Sequence, residues 1–237
     1  MRDARDDWRR FDALRIPSKE ATPHLDRCLL AVREAAAAGP PPALLDVGCG
    51  TGRLAARLAA QGFAVTGVDI GPDAVRTARD LAGAAAGPRP VFAEADFAAD
   101  QPPVVPGGPF DVVVCQLVIS IIGGLRDRTN LLRNARAHLR PDGWLHLSAS
   151  GVSDTINAGY ARLYAEDAPA TGERHSYFSR DERGGILYMT HHFTVEELTA
   201  LLEDAGFGRI EITVERETSS RRPDEAAHFL YATCRPA

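Results

Sequence analysis

The sequence predicts an α/β fold: a mostly parallel seven-stranded sheet with helices on both faces and an antiparallel C-terminal strand. Three observations predict it. Apolar runs of strand length alternate with amphipathic helical segments through most of the chain, the pattern of repeated βα units. One run, Phe110 to Val118, is almost continuously apolar, as a central parallel strand covered on both faces must be. The last two strand-like segments are joined by a short polar link, which asks for a hairpin and so for one antiparallel strand.

Each element has its own signal. Thr22-Pro23 gives an N-cap followed by proline at the first helical position, and Leu25, Cys28, Leu29 and Val32 follow at helical spacing. That helix is expected to end near Gly39-Pro40-Pro41-Pro42. Ala43 to Val47 reads as a strand, then a glycine-rich turn, then a helix from Arg53 to Gln61 that Gly62 stops. Phe63 to Ile70 is a second strand and Asp73 to Leu81 a second helix of this series. Val91 to Ala95 is a short strand, and the Pro- and Gly-rich stretch Asp100 to Pro109 is loop. Arg126 to Leu139 is amphipathic, and the Pro141-Asp142-Gly143 turn leads into a strand from Trp144 to Ser148.

The stretch Ala149 to His192 breaks the rhythm. It is polar, rich in Tyr, Arg, Glu and His, and too long for a bare loop, so short helices and a hairpin near Gly184-Gly185 are expected. Thr194 and Glu197 then form a capping box, with Phe193 placed to staple to Leu198. Gly206 stops that helix, and strands Arg209 to Glu217 and Ala227 to Cys234 follow. The chain is divided into an N-terminal flap and helix (1–42) and one domain (43–237) with a substrate-recognition insertion at about 150–192.

The 237 residues, 45% hydrophobic and 25% charged, have the balance of an ordinary globular protein. The net charge of -5 and the lack of a dense Lys/Arg run argue against a nucleic-acid partner. Arg9-Arg10 and Arg221-Arg222 read as solvated surface. No stretch reaches the roughly 18 apolar residues of a membrane span, and the charged start, Met1 to Asp7, does not read as a signal peptide. Cys28, Cys49, Cys115 and Cys234 are scattered, without metal-ligand spacing, as reduced thiols of a cytoplasmic protein would be. A monomer or a homodimer is expected.

The chemistry begins at Leu44-Leu45-Asp46-Val47-Gly48-Cys49-Gly50-Thr51-Gly52. Glycines between a strand and a helix let the backbone turn sharply and approach a ligand closely. Asp69 ends the second strand, where a carboxylate accepts both ribose hydroxyls of an adenosine moiety. Read alone, Asp69 serves equally well as the cap of the next helix. In sheets of this type ligands sit outside the carboxyl ends of the strands.

Asp46 to Gly52, with Gly67-Val68-Asp69-Ile70, resembles class I S-adenosylmethionine-dependent methyltransferases of the small-molecule type, over nearly the whole chain from about residue 25. Ala95-Asp96-Phe97 resembles that family's adenine-binding segment, and Leu139 to Trp144 its link into the fifth strand. The resemblance implies a Rossmann-like fold, S-adenosylmethionine as cofactor and S-adenosylhomocysteine as product. It implies that Gly48, Gly50 and Gly52 pass close to the cofactor, that Asp46 holds its methionine end and that Asp69 binds the ribose. Asp96 would accept from the adenine amino group, Ile70 and Phe97 would flank the ring, and Gln116 would lie beside the sulfonium. Two features depart from relatives of other specificity. Cys115-Gln116-Leu117 stands where base and glutamine methyltransferases carry Asn/Asp-Pro-Pro-Tyr. Asp154 and Asn157 do not form the Asp-Asp-Asn set of catechol-type enzymes, so no metal is expected.

Methyl transfer needs alignment above all, and a base only where the nucleophile must lose a proton. His191, His192 and His175 are the candidate bases, because an imidazole titrates near neutral pH. Tyr160, Tyr164, Glu173, Tyr177 and Tyr188 are the candidate substrate contacts, and Trp8 with Phe11 a candidate flap over the cofactor. The substrate would be a polar metabolite or natural-product intermediate methylated on N or O. Two other readings stand beside this one. A nicotinamide-dependent oxidoreductase is opposed by G-x-G-x-G in place of G-x-G-x-x-G and by the lack of a Tyr-x-x-x-Lys pair. A non-catalytic cofactor-binding module would be favoured by a degraded glycine loop, and this loop is intact.

Overall fold

A computed structural model of the chain describes residues 8–9, 22–36, 39–84, 89–219 and 225–237. The expectations placed on Arg10, Phe11, Arg221 and Arg222 lie outside the described residues. In chain order the elements are α1 (Pro23–Ala35), β1 (Ala43–Val47), α2 (Arg53–Ala60), β2 (Ala64–Asp69), α3 (Pro72–Ala84), β3 (Val91–Glu94) and β4 (Phe110–Gln116). After a short 3₁₀ turn (Ile119–Ile121) come α4 (Leu125–His138), β5 (Leu139–Gly151), α5 (Ala158–Thr171), β6 (Ser176–Arg180), β7 (Ile186–His191), α6 (Val195–Asp204), β8 (Phe207–Thr218) and β9 (Ala226–Pro236).

Seven strands form one sheet in the order β3-β2-β1-β4-β5-β9-β8. The pairs among β1 to β5 are parallel, and β9 runs antiparallel to both β5 and β8. The Rossmann-like sheet with an antiparallel C-terminal strand is thus present. The reversal of order at β1, where β2 and β4 flank it, opens a crevice at the carboxyl ends of the strands.

Alternation along the strands feeds two cores. Leu45, Val113, Leu145, Leu147, Leu230 and Ala232 face α4 and α6, which contribute Leu131, Leu132, Leu198 and Leu202. Leu44, Val112 and Val114 face the other way, onto Leu25 and Leu29 of α1, Leu54 and Leu58 of α2, and Val75 and Ala78 of α3. Truncating any one of these buried leucines to alanine costs about 2–5 kcal/mol. Caps fix the helix ends as the sequence predicts. Thr22 Oγ1 accepts from Leu25 N at 3.1 Å, and Thr194 Oγ1 from Glu197 N at 3.1 Å.

The fifth strand differs from expectation. It begins at Leu139 rather than Trp144, so α4 ends at His138. Leu139 pairs with Phe110, and the ladder then shifts register to Val112 and Trp144. The Pro141-Asp142-Gly143 segment is therefore an irregularity inside the strand rather than a turn ahead of it.

The insertion folds as one 14-residue helix, α5, and a separate two-stranded sheet of β6 and β7. Asn157 Oδ1 caps α5 by accepting from Gly159 N at 2.9 Å. Asp167 of α5 accepts from both terminal nitrogens of Arg180, at 2.8 and 2.6 Å, and from Phe178 N. This fork joins helix to hairpin with a fixed geometry.

Candidate functional site at the carboxyl edge of the sheet

The loop after β1 is built on positive φ angles: 72° at Gly48, 53° at Gly50 and 78° at Gly52. Gly48 N and Cys49 N both donate to Val68 O, at 2.8 and 2.9 Å, which ties the loop to β2. A Cβ at Gly48 would stand 2.3 Å from Val118 Cγ2, so this glycine is required by packing as well as by conformation. At Gly50 a Cβ would meet nothing within 4 Å. Gly48 is thus pressed against the turn after β4, whereas Gly50 looks into open space.

Asp69 holds the loop from below. Its Oδ2 accepts from Gly50 N at 2.9 Å and its Oδ1 from Gly71 N at 2.8 Å. Burial raises its carboxyl above the usual range, and these backbone donors pull it back down. Asp46 is different. It is 2% exposed, its Oδ2 is buried without a hydrogen-bond partner, and burial together with the charge of Asp69 pushes its pKa up to about 7. A buried acceptor left unpaired costs stability until a donor reaches it. The open space at Gly50 and the orphaned Asp46 Oδ2 fit a ligand that brings a donor, and better still a positive charge, to this edge.

Two thiols lie close by and are kept inert. Burial and the neighbouring Asp46 carboxylate push Cys115 up to about 12, and the same causes raise Cys49. A thiolate here would compete as a nucleophile; the protonated thiol does not.

β4 ends at Gln116, paired with Ser148. Leu117 follows with φ 60°, and its N–H donates to both Ser148 O and Ser148 Oγ, at 3.0 and 3.1 Å. A branched residue in the left-handed region is uncommon and marks a backbone held by its surroundings. Asp96 Oδ1 accepts from Ala98 N at 2.9 Å, while Phe97 is buried in the core with its ring 5.2 Å from His138. Ile70 is half-buried beside Asp69.

Apart from Tyr188, the insertion candidates separate into two groups. Tyr160, Tyr164 and Tyr177 pack into one aromatic cluster with Phe229 and Tyr231 of β9, against Leu117. His192 lies within it: Nδ1 is 2.6 Å from the Tyr164 hydroxyl, Nε2 is 3.5 Å from the Tyr177 hydroxyl, and the ring is 4.8 Å from that of Tyr160. Burial raises the Tyr164 hydroxyl well above its ordinary range. His191 points elsewhere. Its Nε2 meets Glu197 Oε1 at 2.8 Å and its Nδ1 meets Ser176 Oγ at 2.8 Å. Glu173, expected at the substrate, instead accepts from Ser176 Oγ at 3.0 Å and pairs with Arg128. Glu197 is drawn to His191, so the side-chain half of the expected capping box is redirected. His175 adopts φ 60°, and burial followed by the charge of Arg174 lowers its pKa.

Trp8 lies over this edge. Its Nε1 donates to Ile121 O at 3.1 Å, its ring is 4.6 Å from that of Tyr188, and its backbone O is near Gly71. It joins the segments after β2 and β4 to the hairpin. Sequence reasoning missed Arg128, Ser176 and Leu117. A signal existed for Arg128, because it falls in phase with Leu131, Leu132 and Ala135 on the apolar stripe of α4.

One cavity among the described residues, of about 270 Å³, lies at the opposite edge of the sheet, between Val32, Pro41, Arg140 and Trp144, away from this chemistry. Among the described residues no helix is long and apolar enough to cross a membrane, and no group of three or more His, Cys, Asp or Glu is placed to hold a metal ion.

Sheet order and glycine loop define an α/β protein of the Rossmann-like class, in which ligands sit at the carboxyl edge of the sheet. A family model described as a methyltransferase domain matches residues 22–212. The chain belongs to that family, the class I methyltransferases that use S-adenosylmethionine. It is 36% identical over 107 residues to the ubiquinone biosynthesis O-methyltransferase of Xanthomonas euvesicatoria pv. vesicatoria, a match of 44% of this chain and 41% of that one. It is 37% identical over 127 residues to the protein of the same name from Caulobacter vibrioides, 52% of this chain and 46% of that one. The chain thus spans less than half the length of the curated relatives it matches. A SAM-dependent methyltransferase from Methanosarcina mazei superposes with a TM-score of 0.77 at 24% identity, over 91% of this chain and 98% of that one. Magnesium protoporphyrin IX methyltransferase from Synechocystis PCC 6803, with SAH bound, gives 0.61 at 22% identity over 98% and 97%. These two likenesses are of fold.

Proposed function

We propose that this protein transfers a methyl group from S-adenosylmethionine to a polar small molecule, a metabolite or natural-product intermediate, in the cytoplasm. The observation that carries the proposal is the glycine loop clamped by Asp69 beside the unpartnered Asp46 Oδ2. Hydroxyl oxygen is favoured over amine nitrogen by the names of the curated relatives. The four buried free thiols favour a reducing compartment. When bound, the cofactor supplies a methyl already activated on a positively charged sulfur.

The residues then divide the work. Gly48, Gly50 and Gly52 keep side chains out of the approach, and Asp46 Oδ2 accepts from the amino group at the methionine end. Asp69 is held by Gly50 N of the loop and Gly71 N of the turn after β2, and the same carboxylate accepts from the ribose hydroxyls. Asp96 accepts from the adenine amino group, Ile70 covers the ring, and Phe97 supports that segment from the core. Gln116 and the strained Leu117 border the methyl. Trp8 and Tyr188 exclude water from one side. For a hydroxyl acceptor, the departing proton passes to Tyr164 Oη as the tyrosine's own proton moves to His192 Nδ1, so that Tyr164 stays neutral. Tyr160 and Tyr177 hold that pair in place, His175 packs against Tyr164, and Glu173 and His191 act as supports.

Calorimetric titration with S-adenosylmethionine, S-adenosylhomocysteine and NAD(H), followed by methyl transfer to 3,4-dihydroxybenzoate and to simple amines, tests this reading. Micromolar binding of the first two ligands and transfer to oxygen is the expected result (about -8 kcal/mol). Binding of NAD(H) alone overturns it.

A further inference from the structure

Among the described residues the largest fully buried side chain is a charged one. Arg128, on α4, is 1% exposed. Its Nε donates to Ile122 O at 3.0 Å, just after the turn that follows β4, and its guanidinium pairs with Glu173 and lies 5.8 Å over the Phe193 ring. Glu173 accepts from Ser176 on β6, Ser176 Oγ meets His191 at the end of β7, and His191 meets Glu197 on α6. The chain of contacts therefore runs from the cofactor domain through the insertion and back again. Burying an arginine is expensive unless it is paired, so an apolar residue would serve α4 better if packing were the only requirement.

We propose that Arg128 is a positioning residue. Through Glu173 and Ser176 it fixes the register of the β6–β7 hairpin, and so sets where His192 and Tyr164 stand beside the end of β4. The relation is geometric: His191 and His192 are chain neighbours, one locked in the ionic chain and the other in the aromatic cluster that packs on Leu117. Loss of the lock lets the second imidazole move with the hairpin. The inference rests on the reading that His192 and Tyr164 border the acceptor.

The test compares wild type, Arg128→Met, Arg128→Lys and Glu173→Gln. Arg128→Met is expected to keep S-adenosylhomocysteine affinity within about twofold, to speed amide exchange in β6 and β7 by about tenfold or more, and to lower kcat/KM for 3,4-dihydroxybenzoate by at least about tenfold. Arg128→Lys should recover part of both losses, and Glu173→Gln should reproduce the local exchange. Wild-type exchange in Arg128→Met overturns the proposal. So does an equal loss of cofactor affinity, which would make Arg128 a support of the whole fold. If Arg128→Met does not fold, Glu173→Gln decides: hairpin exchange unchanged from wild type overturns the clasp. A wild-type protein that binds no S-adenosylhomocysteine would defeat the functional reading instead, and the exchange data would still judge the clasp.

Discussion

Asp46 and Asp69 stand near the carboxyl ends of adjacent parallel strands, and they differ in their commitments. Asp69 accepts from backbone amides on both sides, Gly50 in the glycine loop and Gly71 after β2, whereas Asp46 Oδ2 has no partner. With its pKa raised to about 7, Asp46 takes up a proton near neutrality when no cation is bound. A bound ammonium lowers that pKa, so affinity for S-adenosylmethionine should rise with pH through about 7 and level off above it. Calorimetry in two buffers of different ionisation enthalpy should show proton release on binding, and Asp46→Asn should abolish that release. A pH-independent affinity would contradict it.

Gly48 and Gly50 should fail in different ways when substituted. Gly48→Ala drives a Cβ into Val118 at a positive φ, and should cost about 1–3 kcal/mol in a denaturant melt. Val118→Ala in the same chain should return part of it. Gly50→Val has room in the protein but occupies the approach to Asp69. It should melt within about 1–2 kcal/mol of wild type, the strain of its positive φ alone, yet bind no cofactor.

The two neighbouring histidines should separate by readout. His192→Ala should lose turnover with S-adenosylhomocysteine affinity unchanged, and Tyr164→Phe should follow it. His191→Ala strips a partner from both Glu197 and Ser176 and should lower stability by about 1–3 kcal/mol. Full turnover in His192→Ala would remove it from the reaction.

His146 should make the fold acid-sensitive. It is fully buried on β5, its Nε2 has no partner, and burial followed by the charge of His24 lowers its pKa to about 4. The unfolded chain binds this proton more tightly, so stability is complete above about 6.5 and falls as pH drops from there towards 4. The loss is on the order of 3 kcal/mol. Thermal melts across that range should show the decline, and His146→Leu should flatten it.

The sheet could be read from the chain because its signals are local. Alternating apolar residues, the Thr22 and Thr194 caps and the glycine stops act within a few residues of themselves. The candidate site at the carboxyl edge was legible for the same reason: Asp46, Gly48, Gly50 and Asp69 lie at two short, recognisable strand ends. The insertion was legible as an interruption that carries a helix and a hairpin near Gly184-Gly185, but its contacts were not. Glu173 reads as a solvated or substrate-facing charge until Arg128, far away on α4, is seen to pair with it. The extension of β5 to Leu139 depends on Phe110 across the ladder, which no local signal reports.

By itself, the sequence determined the order of elements, the turn chemistry of the glycine loop and the pair of carboxylates that flank it. These are fixed by backbone sterics and by side-chain periodicity. Only the tertiary structure decided that β9 slips between β5 and β8, that Gly48 faces Val118, and that His191 and His192 enter separate networks. Those outcomes depend on which surfaces remain to be covered once the helices have docked. That choice is made by contacts between residues distant in the chain.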